Sequence, residues 1–191
     1  MIGIFGGAFD PPHNGHVALL AAAKESLALD DAVVVVAADP GHKAVAAPAE
    51  TRLALARAAF PGERVVLDDH GRTIDMLRDH PEWEGATFLL GADEFAGFAD
   101  WKEPGEVLRL VRLAVATRAG FQQDRLDAAL EALGASGRVT FFEIEPLPIA
   151  SSELRARLDR GEDVHELVPA PVWNLIERER PYGPPSYTGR A

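Results

Sequence analysis

The stretch that decides the fold is residues 1–16, M-I-G-I-F-G-G-A-F-D-P-P-H-N-G-H. Its apolar beginning predicts a first β-strand over the first five residues, and a helix is predicted to begin near Asn14 or Gly15. A loop that joins a strand to a helix N-terminus presents free backbone N–H groups and the positive end of the helix dipole to an anion. Because Gly6 and Gly7 carry no Cβ, we expect the backbone there to approach a phosphate group closely.

The rest of the chain alternates between strand-like and helix-like segments. The predicted strands are residues 1–5, 32–38, 64–68, 87–90, 113–117 and 139–144, and the predicted helices between them are residues 15–27, 48–60, 73–79, 104–111 and 124–133. Several of these strands are almost wholly apolar, as in a parallel sheet that helices cover on both faces. The alternation predicts an α/β fold with a doubly wound, Rossmann-like and mostly parallel sheet. After residue 144 only helices are predicted, at 151–160 and 170–179, and we expect them to form a C-terminal helical cap on the sheet.

Length and composition favour one domain over residues 1–180 of the 191. Residues 181–191 contain little that could pack, so a frayed tail is predicted there. The formal net charge of −11 disfavours nucleic acid as a partner, and no apolar run, that of residues 33–38 included, is long enough to cross a membrane. Cysteine is absent, which excludes disulfides, thiolate metal sites and a cysteine nucleophile. We expect a cytoplasmic protein with small-molecule partners; its oligomeric state stays open, a homo-oligomer being one option.

His13 and His16 are the candidate catalytic residues of the opening stretch. They lie three residues apart across the predicted helix start, so both rings can face one anion. An imidazole can donate a hydrogen bond to a phosphate oxygen and can carry positive charge as negative charge develops. A bare H-x-x-H favours half of a zinc site or two surface histidines. The glycines, Asp10 and the two prolines that surround it favour the phosphate-binding interpretation.

Residues 6–16, G-G-A-F-D-P-P-H-N-G-H, resemble the signature of the HxGH nucleotidylyltransferases and, more closely, that of bacterial nicotinate-mononucleotide adenylyltransferases. Five further stretches are similar to motifs of that family and follow in the same order. They are H-K at 42–43, T-I-D-M-L-R at 73–78, G-A-D at 91–93 with W-K at 101–102, I-A-S-S-E-L-R at 149–155 and L-V-P-A-P-V at 167–172. The resemblance covers roughly residues 1–180.

This resemblance implies a reaction and a set of site residues. The implied reaction transfers AMP from ATP to nicotinate mononucleotide, forming deamido-NAD and pyrophosphate in NAD biosynthesis. Mg²⁺ is expected to enter with ATP, held by the nucleotide phosphates and water and not by protein ligands. The implied catalytic residues are His13, His16, Lys43 and Arg155. The implied ATP-binding residues are Gly6, Gly7, Phe9, His16, Gly91, Asp93, Ile149, Ser151, Ser152 and Arg155, and the implied mononucleotide-binding residues are Lys43, Arg72, Thr73 and Trp101.

Several of these residues also have a purely structural interpretation. Ser151 and Ser152 stand where a helix is predicted to begin and could act only as N-caps. Trp101 could be a core side chain instead of a partner for the pyridine ring. Asp93 could be a helix N-cap instead of an acceptor for ribose hydroxyls. Arg118, at the end of a predicted strand, is a further candidate for a contact with ATP.

The chain departs from the family pattern at two positions. Arg72 stands where the family usually has tyrosine, next to the ring-binding segment, and Ala150 stands where it commonly has serine. A guanidinium matches a carboxylate well, so one hypothesis pairs Arg72 with the nicotinate carboxylate and predicts a preference for the acid over the amide. The alternative is a solvated loop arginine. Two rival functions stay open: a sister enzyme with another acceptor, such as nicotinamide mononucleotide or pantetheine phosphate, and a non-catalytic nucleotide-binding module.

Overall fold

The computed structural model of the protein describes residues 1–41, 44–117, 123–134, 137–145 and 147–183. His42 and Lys43, which form the H-K stretch, and Arg118, a candidate for a contact with ATP, lie outside the described residues.

The described residues form one parallel sheet of six strands in the order β3-β2-β1-β4-β5-β6. The strands are β1 (Ile2–Gly7), β2 (Asp31–Ala37), β3 (Arg64–Asp68), β4 (Thr87–Gly91), β5 (Arg112–Thr117) and β6 (Val139–Glu143). All five strand pairings are parallel. The predicted doubly wound parallel sheet is therefore confirmed, and each strand lies within two residues of its predicted bounds.

Eight α-helices accompany the sheet in the described part of the chain. They are α1 (Asn14–Ser26), α2 (Ala49–Ala59), α3 (Thr73–Asp79), α4 (Ala92–Ala96), α5 (Pro104–Leu110), α6 (Gln123–Leu133), α7 (Ser151–Asp159) and α8 (Ala170–Glu179). Seven of them were predicted. The sequence analysis missed α4 and the short 3-10 helices Pro81–Trp83, Phe98–Asp100 and His165–Leu167, which are too short to show a helical period.

Both faces of the sheet are buried, which explains the unbroken apolar run in β2. Val33 and Val35 contact one core, which α3, α4, α5 and α6 complete. Val34 and Val36 contact the other core, to which α1, α2, α7 and α8 contribute. The expected C-terminal helical cap is thus formed by α7 and α8 on the second face.

Tyr182 corrects the expectation of a frayed tail over residues 181–191. Its side chain is 7% exposed and belongs to the second core, so ordered packing reaches at least this residue. The aromatic ring supplies the apolar surface that the prolines and glycines around it lack. Residues 184–191 lie outside the described part of the chain. None of the described helices is long and apolar enough to cross a membrane.

The order of the strands places the opening stretch at the centre of the sheet. β2 and β3 lie to one side of β1, and β4, β5 and β6 lie to the other. The strand order therefore changes direction at β1. In open α/β sheets, ligands bind beyond the carboxyl ends of the strands at this switch point. We call residues 8–13, which join β1 to α1, the signature loop.

Candidate active site

The two glycines before the signature loop belong to the strand and not to the loop. Gly6 and Gly7 pair with Val35 and Val36 of β2. A Cβ on Gly7 would lie 3.0 Å from ring atoms of Phe9, and one on Gly6 would lie 3.3 Å from the ring of Phe88. The glycines therefore leave room for close packing of aromatic rings, a reason that the sequence did not reveal. Both also line the cavity described below.

Phe9 was expected to bind ATP, but its side chain is a core residue. It is 1% exposed and lies with its ring centroid 5.6 Å from that of Phe60 and 5.2 Å from that of His16. Its φ is +50°, in the left-handed region that non-glycine residues seldom adopt. This backbone turn directs the ring into the core. The ring is turned away from solvent and makes an edge contact with the His16 imidazole, so its observed role is in packing.

The two histidines lie against each other at the start of α1. Their ring centroids are 3.7 Å apart and the ring planes are inclined by 31°. The backbone N–H of His13 donates to Nδ1 of His16 at 3.2 Å, so a neutral His16 carries its proton on Nε2. A Cβ on Gly15 would lie 3.0 Å from Nδ1 of His13, which favours glycine at position 15.

His13 is electrically neutral near pH 7. Its side chain is 7% exposed, and burial lowers the pKa of its imidazole to about 4. Its Nδ1 is buried and has no hydrogen-bond partner within the described ranges. The sequence analysis expected both histidines to accept positive charge, but burial makes this unfavourable for His13 until an anion lies beside it. In the free protein His13 is therefore a neutral hydrogen-bonding group.

Asp10 connects the signature loop to a distant segment. Its carboxylate is 1% exposed and accepts hydrogen bonds from the backbone N–H groups of Ala46 at 2.5 Å and Ala47 at 3.2 Å. It also accepts one from the hydroxyl of Tyr182 at 2.8 Å. Residues 44–47, which we call the bridging segment, follow Lys43 directly in the chain. Asp10 therefore determines where this segment stands relative to the signature loop.

Arg52 is a buried residue of α2 that the sequence analysis missed. It is 1% exposed and donates to four backbone carbonyl oxygens: those of Ala8 at 2.9 Å, Ala37 at 2.6 Å, Ala38 at 2.8 Å and Ala47 at 3.1 Å. The first belongs to the signature loop, the next two lie at the end of β2, and the last belongs to the bridging segment. Arg52 thus joins the three segments that surround the carboxyl ends of the central strands.

The helical cap also contacts the signature loop. Ser151 donates to the carbonyl oxygen of Pro11 at 2.9 Å, and Arg155 donates to the carbonyl oxygens of Asp10 at 2.8 Å and Ala44 at 3.1 Å. A third contact joins the side chain of Asn14 to the carbonyl oxygen of Glu166 at 2.9 Å. Residues 151–182 therefore fix the position of the loop and of the first residue of α1.

The N-cap interpretation of the two serines is wrong. The N-cap of α7 is Ala150, and Ser151 and Ser152 are the first two residues inside the helix. Ser152 is exposed, and Ile149 is partly buried against the second core. The N-cap interpretation of Asp93 is wrong as well, because Gly91 is the N-cap of α4 and Asp93 is exposed on its first turn.

A cavity of about 660 Å³ opens at the carboxyl ends of the central strands. Three residues expected to bind the mononucleotide line it, namely Arg72, Thr73 and Trp101, together with Gly6 and Gly7. The other expected ATP-binding residues do not line it. Those are Phe9, His16, Gly91, Asp93, Ile149, Ser151, Ser152 and Arg155. The described site thus consists of a cavity that opens to solvent and, beside it, the signature loop, whose residues 9–13 are buried, with the start of α1.

The cationic side chains of the cavity differ in their surroundings. Lys102 donates to both carboxylate oxygens of Asp75, at 2.8 and 2.9 Å. Arg72 is exposed, and its one hydrogen bond in the described structure, to the carbonyl oxygen of Gly71, is long at 3.4 Å. No described carboxylate lies in salt-bridge range of Arg72. Its guanidinium is therefore available to an anionic group of a ligand.

Trp101 packs against the core and also lines the cavity. Its ring contacts Phe98, with centroids 5.0 Å apart, and Phe88, with centroids 6.2 Å apart and planes perpendicular. The ring nevertheless remains half-buried and forms part of the cavity wall. One side of the indole is fixed by core residues, which leaves it a rigid surface on the cavity side.

Four carboxylates line the cavity as well, those of Asp39, Asp68, Glu94 and Asp100, and a cationic histidine neutralises one of them. His70 bonds through Nδ1 to Asp68 at 2.5 Å and through Nε2 to Asp79 at 2.8 Å. These hydrogen bonds, first that to Asp68 and then that to Asp79, raise the pKa of His70 to about 9. The imidazolium reduces the repulsion that Asp68 would exert on an anionic ligand.

Comparison with known proteins identifies relatives over nearly the whole chain. Residues 4–157 match the family described as cytidylyltransferase-like. The chain is 36% identical over 193 residues to a probable nicotinate-nucleotide adenylyltransferase of Bordetella avium, a match that covers 96% of this chain and 98% of the relative. A probable nicotinate-nucleotide adenylyltransferase of Rubrobacter xylanophilus is 33% identical over 189 residues, with 92% and 88% covered.

The fold is also similar to that of a solved structure. This is the Plasmodium falciparum nicotinic acid mononucleotide adenylyltransferase complexed with NaAD. The TM-score is 0.71 at 19% sequence identity, and the match covers 94% of this chain and 95% of the other. At this identity the likeness is one of fold.

Proposed function

Because the chain belongs to the nicotinate-nucleotide adenylyltransferases of the cytidylyltransferase-like family, we propose that it transfers AMP from ATP to nicotinate mononucleotide, forming deamido-NAD and pyrophosphate for NAD biosynthesis. One observation carries the proposal beyond family membership. The 660 Å³ cavity that contains Trp101 and Arg72 lies beside the signature loop and the start of α1. A mononucleotide whose ring occupies this cavity can direct its phosphate toward the two histidines.

The reaction needs no side-chain nucleophile. A phosphate oxygen of the mononucleotide attacks the α-phosphorus of ATP, the bond from that phosphorus to the bridging oxygen breaks, and pyrophosphate leaves. The attacking phosphate is already an anion at neutral pH. Catalysis then depends on positioning the two anions and on stabilising the charge that develops in the transition state.

His16 and His13 have different parts in this mechanism. With Nδ1 of His16 occupied by the backbone N–H of His13, the Nε2–H of His16 is the group that donates to the phosphate. His13 is neutral before substrate binds because of its burial, and the approaching phosphates favour its protonated form. The helix dipole of α1 adds positive potential at the same place.

Mg²⁺ is expected to accompany ATP. The one carboxylate of the signature loop, that of Asp10, already accepts three hydrogen bonds from Ala46, Ala47 and Tyr182. This donor set does not suit a protein-built metal site at the loop. It fits an ion that the nucleotide phosphates and water hold, as is usual for Mg²⁺.

The test is a pyrophosphate-release assay with ATP, Mg²⁺ and one acceptor at a time. We expect turnover with nicotinate mononucleotide, weaker turnover with nicotinamide mononucleotide and none with pantetheine phosphate. Preferred turnover of another acceptor would make the chain a sister enzyme. No turnover with any acceptor, combined with nucleotide binding in calorimetry, would favour the non-catalytic binding module.

Arg72 is proposed to select the acid. A hydrogen-bonded charge pair contributes enough to change affinity by roughly tenfold or more, so Arg72→Ala should raise KM for nicotinate mononucleotide about tenfold and leave that for the amide nearly unchanged. Arg112→Ala is the matched control. Arg112 is an exposed arginine at the first residue of β5, so it lies at the end of the strand away from the cavity. An acid-to-amide ratio of kcat/KM that is the same in both variants would contradict the assignment.

A further inference from the structure

Tyr182 makes a contact with the signature loop that the reaction described above does not use. Its hydroxyl donates to Oδ1 of Asp10 at 2.8 Å, across 172 residues of sequence. Helix α8 ends at Glu179, and Arg180 adopts φ +46°, which turns the chain back toward the core. Burial, and next the nearby negative charge of Asp10, raise the pKa of Tyr182 far above its usual range. The hydroxyl therefore remains a hydrogen-bond donor at every pH at which the protein would be assayed.

The atoms around Asp10 show what this contact can control. The same carboxylate accepts the two N–H groups of the bridging segment, those of Ala46 and Ala47. Arg155 spans the same pair of segments, because it donates to the carbonyl oxygens of Asp10 and Ala44, and it lies 3.6 Å from Oδ2 of Asp10. A carboxylate can rotate about its Cβ–Cγ bond, and each donor that it accepts restricts that rotation. Tyr182 is the donor supplied by the C-terminal end of the chain.

We propose that Tyr182 is a positioning residue for adenylyl transfer: by orienting the Asp10 carboxylate, it fixes the bridging segment and the signature loop relative to each other. The effect on rate rests on the proposed function. The effect on the bridging segment does not. Tyr182 touches no reacting atom, so its influence passes through Asp10 to the residues on either side of the site.

The first test compares Tyr182→Phe with Ile176→Val. The phenylalanine keeps the buried ring and removes only the hydroxyl. Ile176 is a buried residue of α8 in the same core, and its loss of one methylene lowers stability by a similar amount without touching Asp10. We expect kcat with ATP and nicotinate mononucleotide to fall about tenfold in Tyr182→Phe and less than twofold in Ile176→Val, because small misplacements of catalytic groups slow the reaction strongly. The thermal midpoints should fall equally.

The second test is independent of activity. Amide hydrogen exchange at Ala46 and Ala47 should become about fivefold faster in Tyr182→Phe, the factor that one hydrogen bond is worth, and should stay unchanged in Ile176→Val. If the wild-type protein had no transferase activity, the proposed function would fail and exchange alone would decide whether Tyr182 fixes the bridging segment. If the wild-type protein is active, equal kcat in Tyr182→Phe and Ile176→Val overturns the proposal, whatever exchange shows.

Discussion

Replacing Arg52 by methionine removes four buried hydrogen bonds and keeps most of the side-chain volume. A hydrogen bond from a charged donor contributes ~1.5–3 kcal/mol, but four bonds that share one guanidinium are not additive. Counting them as about two full bonds gives a loss of about 4 kcal/mol in the free energy of unfolding. The carboxylate of Asp10 would also lose its nearby positive charge, which acts in the same direction.

The assay is urea unfolding followed by tryptophan fluorescence, to which Trp83, 2% exposed in the native protein, contributes. With an m-value of about 2 kcal/mol/M, the midpoint should fall by roughly 2 M, and the thermal midpoint by ~8–16 °C. Arg57→Met is the control, because Arg57 is exposed on the same helix. A loss below about 1 kcal/mol, or one equal to that of the control, would refute the reasoning that the four carbonyl contacts stabilise the fold.

Four further predictions concern the histidines. His16→Ala should lower kcat by about two to three orders of magnitude in the pyrophosphate assay, and a loss below about tenfold would argue against a catalytic role. Gly15→Ala should lower kcat as well, because the new Cβ would lie 3.0 Å from Nδ1 of His13; unchanged kinetics would contradict the packing argument. The pKa of His13 is about 4 in the folded protein and 6.5 in the unfolded chain. The stability that depends on neutral His13 is therefore complete above pH 6.5 and is lost as the pH falls toward 4. Relative to His13→Asn, the free energy of unfolding should fall by up to about 3 kcal/mol over this range. The pKa of His70 is raised to about 9, so wild type should exceed His70→Asn in free energy of unfolding by the full amount below pH 6.5. This excess should decline as the pH rises to 9. An excess that does not change with pH would rule out the Asp68–His70 pairing.

Most of the fold could be predicted because it depends on local patterns. The apolar run of β2 indicated burial on both faces, and the change to helices after residue 144 indicated the cap. The grouping of Arg72, Thr73 and Trp101 in one site was implied by the family resemblance, and it is possible because the carboxyl ends of parallel strands meet at one edge of the sheet. These predictions needed no knowledge of side-chain packing.

What could not be predicted depends on contacts between residues far apart in sequence. Nothing near Tyr182 indicates that its hydroxyl bonds to Asp10. Gly7 gives room to the ring of Phe9, which lies against it because the Phe9 backbone is in the left-handed region. No sequence pattern indicates this backbone conformation. Arg52 did leave a signal, since it shares a helix face with Ala56 and Ala59 at spacings of four and seven, where an apolar residue is expected. A charged residue on a buried helix face points to a partner inside the protein.

The contacts between the cap and the signature loop have a consequence for biosynthesis. Pro11, Asp10 and Asn14 leave the ribosome 140 to 172 residues ahead of their partners in the cap. The nascent chain can therefore build the first half of the sheet long before its phosphate-binding loop acquires its final shape. Enzymatic competence should then rise only after the cap has been synthesised, and chains that end before the cap should have little activity even after much of their sheet has formed.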